Sequence, residues 1–235
     1  MKNLMYCEFI KFKNRKILKL LVLLELVIVL YYYIFERGVF VDIPNYIFSQ
    51  CYNITLSIIY ISSISIVIVC FSKEIEDKNI FISLVSKHSR SKILMSKIMI
   101  INLITITLYF LHCALFIVGV VSLGGDFYLF DFLELSKLLF INIIPLICFT
   151  LIILLVDMIF ESTFFTIFFG LLFTIIPGIL PDFVSKYIIT YYINVGALLS
   201  YSQDIINTFN IFVCVAVYIV LPISILFYLF NKKEF

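Results

Sequence analysis

This sequence has little charge. Asp, Glu, Lys and Arg make up 14% of its 235 residues, against 63% hydrophobic ones, and the mean hydropathy is +1.16. One soluble core of this length cannot bury so much apolar surface, which excludes a water-soluble globule as the main architecture. The six cysteines (Cys7, Cys51, Cys70, Cys113, Cys148, Cys214) show no C-x-x-C spacing, and this argues against metal or redox chemistry on them. They read as small apolar packing residues. There are two histidines, His88 and His112, and neither has a second His or a carboxylate at ligand spacing, so no zinc or intramembrane protease site is expected. For His112, inside an apolar run, a helix-packing hydrogen bond and a proton relay are the two readings. The nearest approach to a phosphate loop, Gly119 to Gly124, continues Gly125-Asp126 where Lys-Ser/Thr is required. No nucleotide site follows. Internal repeats, low-complexity tracts and soluble domains are also missing, and nothing points to a nucleic-acid partner.

What the sequence has instead is long apolar runs. Residues 17–35, 50–71, 97–123, 138–160, 164–180 and 208–230 each approach the roughly 20 residues that cross hydrocarbon as a helix. Backbone groups in lipid must be satisfied within the segment, so these runs read as helices despite their Ile, Val and Phe content. The first run is too long for a signal peptide and ends in aromatics and Glu36-Arg37, so it should stay attached. The fold class expected is all-α and integral to the membrane: a six-helix transmembrane bundle forming one domain over residues 1–235.

The 17 Lys and Arg orient it. With both termini in the cytosol, fourteen of them lie inside and only Arg37, Lys137 and Lys186 outside, which is the positive-inside pattern. Residues 1–16 suggest an interfacial amphipathic helix: Met5, Phe9 and Phe12, with Tyr6 and Ile10, fall at helical spacing, and Glu8, Lys11 and Arg15 fall on the other side. Residues 181–207 are apolar but carry Lys186 and Asn194, and they follow Pro177-Gly178 and Pro181. They read as a re-entrant hairpin in the outer leaflet, in preference to two further crossings.

Glu25 is an acid well inside a predicted span, where it must be paired, hydrated or protonated. It marks either a substrate path or a structural bond to a neighbouring helix. The segment 73–97, KEIEDKNIFISLVSKHSRSKILMSK, offers an apolar ridge of Ile75, Phe81, Leu84 and Val85 between an acidic start and a basic end. That charge order suits the helix macrodipole, and the exposed aromatic suits either a solvated connector or a docking surface.

Over nearly its whole length the chain resembles the ABC-2 family of export permeases, in which an amphipathic amino-terminal helix precedes six spans and the first cytosolic loop forms a coupling helix. The family's loop reads approximately E-x-E-x-G-T, leucines, P-x-S-R and a later Lys. Glu74, Glu76, Leu84, Ser89, Arg90 and Lys97 match it, whereas Lys78-Asn79 replace Gly-Thr and Lys87 replaces the proline. The leader and the S-R-x-K-I-x-x-S-K segment look like the lantibiotic and peptide-antibiotic immunity type. The resemblance implies a plasma-membrane transport subunit with no catalysis of its own. It implies ABC ATPase subunits that carry ATP and Mg and dock on a coupling loop at 73–92 through Glu74, Glu76, Phe81, Leu84, Ser89 and Arg90. It further implies a second permease chain, identical or homologous, and an amphipathic peptide as cargo. Secreted toxin, lipid-linked glycan or sodium are alternative cargoes, and a non-transport membrane partner protein is the alternative class.

Overall fold

The computed structural model describes residues 2–13, 16–35, 58–76, 89–122, 129–179 and 208–233. Among them there is no strand. The helices are α1 (Lys2–Lys13), α2 (Lys16–Phe35), α3 (Ile58–Glu76), α4 (Arg90–Ser122), α5 (Leu129–Phe160), α6 (Thr163–Ile179) and α7 (Thr208–Lys232). Three stretches, Ile58–Glu76, Arg90–Leu115 and Ile143–Phe160, are long and apolar enough to cross a membrane. Thr163–Ile176 and Val217–Lys232 are apolar but shorter.

Several hydroxyls in these apolar helices cost little because their own helix satisfies them. Ser63 donates to the Ile59 carbonyl at 2.6 Å, Thr105 to Ile101 at 2.9 Å and Ser224 to Val220 at 2.7 Å. Between helices, Thr150 of α5 donates to the Asn102 carboxamide of α4 at 2.6 Å, a polar tie in an otherwise apolar seam.

α4 is the central element, packing against α1, α2, α5 and α7, while α5 also packs against α6 and α7. The core between them holds Ile66, Phe71, Ile101, Tyr109, Phe149 and Phe230. Tyr60 meets Phe149 edge-on with ring centroids 4.6 Å apart. α6 approaches α3 closely because residue 170 is glycine: a Cβ there would lie 2.5 Å from Ile64 Cδ1 and 2.7 Å from its Cγ1. The opposite face of α6 carries Phe164, Phe168, Ile175 and Ile179, all exposed. Such a face is suited to lipid.

Several boundaries differ from the apolar runs. α4 starts at Arg90 rather than Lys97, its first turn opened by the Ser89 carbonyl, which accepts from the Lys92 and Ile93 amides at 2.9 and 3.2 Å. α5 starts at Leu129 rather than residue 138, and residues 73–76 complete α3 instead of beginning a separate loop helix. Polar residues at these ends extend the helices beyond their hydrocarbon-length cores. α5 stops at Glu161, whose φ of 50° is left-handed and whose amide bonds back to the Asp157 carbonyl at 2.8 Å. This is an αL cap made by a residue other than glycine. The hairpin expected at 181–207 lies outside the described residues.

Candidate functional site

Within α3, residues Ile68–Ser72 form a π turn, in which the Lys73 amide reaches back five residues to the Ile68 carbonyl. Such turns widen the helix locally and cluster at functional sites. Here the turn sits between two buried polar groups, one on each side.

On one side is Lys97 of α4, whose side chain has no exposure. Its ammonium donates to Glu8 at 3.0 Å, to Glu74 at very short range, and to the Cys70 carbonyl of the π turn at 3.4 Å. Lys11, which is half-exposed, donates to the same two acids, at 3.1 Å to Glu8 and 3.3 Å to Glu74. Two acids and two bases thus alternate in a closed, electrically neutral joint that fastens α1, the end of α3 and the start of α4. Burial pushes the Glu8 carboxyl up, but the charges and hydrogen bonds of Lys97 and Lys11 outweigh it and hold the carboxyl below its ordinary 4.5. Burial likewise pushes Lys11 down, and Glu74 and Glu8 outweigh it, so the ammonium is held above its ordinary 10.5. Beside the joint lies a small, open cleft lined by Glu8, Lys11, Phe12, Val69, Cys70 and Glu74.

On the other side is Asp157 of α5, fully buried. Its Oδ1 accepts from the Ser72 hydroxyl of the π turn at 2.5 Å and from the Thr166 hydroxyl of α6 at 2.6 Å. A third group closes this end of the bundle. Arg90 donates to the Asn231 and Lys233 carbonyls at 3.3 and 2.8 Å, capping α7. Lys233 donates to the Met158 carbonyl at 2.6 Å and pairs with Glu161. Glu76 accepts from the Thr163 amide at 3.4 Å, placing an acid at the amino end of α6.

The sequence-predicted residues therefore divide. Glu74 is in the buried joint, Glu76 is tied to α6, Ser89 opens α4 and Arg90 caps α7. They stabilise this end of the bundle and do not form one free row. Phe81 and Leu84 lie outside the described residues, and Glu25 lies on α2 with its side chain outside them. His112 is buried in α4. Glu8, expected on the polar side of an interfacial helix, is instead buried with Phe12, leaving Tyr6, Phe9 and Ile10 exposed. The reason is Lys97: a buried ammonium needs a counter-ion, and α1 turns its acid toward it. Sequence reasoning missed Glu8 and the Asp157 triad. The available signal was a charge adjoining an uninterrupted apolar stretch, as in Lys97-Ile-Met-Ile-Ile and Leu-Leu-Val-Asp157.

Among the described residues no group of three His, Cys, Asp or Glu is placed to hold a metal ion. Compared with protein-family profiles, curated proteins and solved structures, the chain matches none. The functional reading accordingly rests on the joint, the helices around it and the sequence pattern.

Proposed function

We propose that the chain is the membrane permease subunit of an ATP-driven ABC-2-type exporter that expels amphipathic or antimicrobial peptide from the plasma membrane. In this reading α2 to α7 are six spans, both termini are cytosolic, and the loop between α3 and α4 receives ABC ATPase subunits that bind ATP and Mg. A second permease chain completes the pathway, which the peptide enters from lipid. The orientation rests on the fourteen inside Lys and Arg against three outside.

The observation that carries the reading is the buried joint. Both stems of the loop, the end of α3 and the start of α4, are fastened to each other and to α1 through Lys97, Glu74 and Glu8. Arg90 and Glu76 extend the linkage to α7 and α6. A displacement applied to the loop would move the bundle as one body, which is what a coupling element must do and a solvated connector need not do. Purification of the tagged chain from its native host tests this. An ATPase with nucleotide-binding motifs should copurify and be identified by mass spectrometry, and Phe81→Asp should reduce its recovery without lowering the amount of permease in the membrane. Full recovery with Phe81→Asp would contradict the docking reading.

A further inference from the structure

Asp157 lies at a junction of three helices and only half of its carboxylate is accounted for. Oδ1 takes hydrogens from Ser72 of α3 and Thr166 of α6, while Oδ2 is buried with no hydrogen-bond partner among the described residues. Both donors are neutral. The charges that act on Asp157 are Glu76 from α3, which repels it, and Lys233 beyond α7, whose ammonium is bonded to Glu161 and the Met158 carbonyl. A fully buried carboxylate with an unfilled oxygen and no ion-paired base is an expensive arrangement inside an apolar bundle. A positive charge bound from solution removes that cost, and a carboxylate oxygen is a hard donor, the kind that takes a proton or a small alkali cation.

We propose that Asp157 binds one monovalent cation, a proton or a sodium ion, at Oδ2, and that this occupancy holds α3, α5 and α6 together beside the π turn. Ser72 lies within the π turn, so vacating the site loosens the seam on the face of α3 opposite the Lys97 joint. The proposal does not rest on the exporter reading, since any role for the chain would leave the orphan oxygen to be filled.

The test is unfolding of the purified full-length chain in detergent micelles, followed by helical circular dichroism. One arm varies pH between about 5 and 9, where acids and lysines of ordinary pKa do not titrate. The other exchanges choline chloride for sodium chloride at constant pH and ionic strength. A cation bound by the folded form alone stabilises it, so raising pH or removing sodium destabilises the native chain. For a proton, the unfolding constant approaches a tenfold rise per pH unit below the midpoint of the folded-state titration and levels off above it. Asp157→Asn, compared with the native chain, removes the dependence that the site contributes. The arm that responds identifies the cation. If the Asn variant does not accumulate, Ser72→Ala and Thr166→Val serve in its place. Each withdraws one donor from Oδ1, and the dependence should move to higher pH or lower sodium. Native and Asp157→Asn profiles that coincide in both arms, or donor variants with unmoved profiles, would overturn the site.

Discussion

Replacing Lys97 by methionine would remove the ammonium that Glu8, Glu74 and the Cys70 carbonyl share, while keeping a chain of similar length in the core. Lys97 has no exposure and its two acids are 9% and 5% exposed, so solvent can do little to replace it. Breaking a buried pair by removing one partner costs about 3–5 kcal/mol, or roughly two to three and a half orders of magnitude in the unfolding constant. Lys11 still bridges both acids, but at 43% exposure its attraction is screened, so the lower end of that range is expected. The combination Glu8→Gln, Glu74→Gln and Lys97→Met leaves only the half-exposed ammonium of Lys11, which solvent can screen, and no buried uncompensated charge, so it should be more stable than Lys97→Met alone. Denaturing-detergent titration in mixed micelles, read by circular dichroism, measures both. The reasoning fails if Lys97→Met lies within about 0.5 kcal/mol of the native chain, the range of an uninvolved surface change, or if the triple variant is no better than the single.

Glu8 is held below its ordinary 4.5, so its contribution is present above that value and is lost as pH falls through the folded value. Lys11 is held above its ordinary 10.5, so its contribution is present below that value and lost only as pH rises past the folded one. A spin label on the exposed Cys7 of α1, the other cysteines being replaced, should therefore gain mobility on acidification below about pH 4.5, and unchanged mobility down to about pH 2 would count against the joint. Gly170→Leu should cost about 1–3 kcal/mol by overpacking against Ile64, with Ile64→Ala in the same chain restoring part of it. A neutral Gly170→Leu would mean that α3 and α6 do not approach so closely. For orientation, single cysteines at Ser86 and Lys233 should be shielded from an impermeant thiol reagent in intact cells, and ones at Asp42 and Asp131 should react. Labelling at residue 86 from outside would reverse the orientation.

The helices were legible because lipid leaves an apolar chain one local solution, and each of the runs at 17–35, 97–123, 138–160, 164–180 and 208–230 falls largely or wholly on a helix. The helix faces were not legible. A helix such as α4 is apolar nearly all round, so periodicity does not say which side meets protein and which meets lipid. On α1 periodicity was visible but incomplete, since it placed Glu8 on the polar side without reference to a partner 89 residues away. Glu74 and Lys97 stood out as residues of one loop pattern, but their pairing depends on α3 and α4 lying side by side with the π turn facing inward. Asp157, near the end of a predicted span, resembled a boundary residue. Its burial comes from Ser72 and Thr166 on two other helices.

The exporter reading is tested most directly by the peptide left on cells. A peptide-sensitive strain should express the chain with its copurifying ATPase, and parallel strains should carry Phe81→Asp or an ATPase unable to hydrolyse ATP. After exposure to a panel of cationic membrane-active peptides, cell-bound peptide and survival are measured together. The account predicts less bound peptide and better survival for at least one peptide with the native pair alone. Equal retention and survival in all strains across the panel would contradict it.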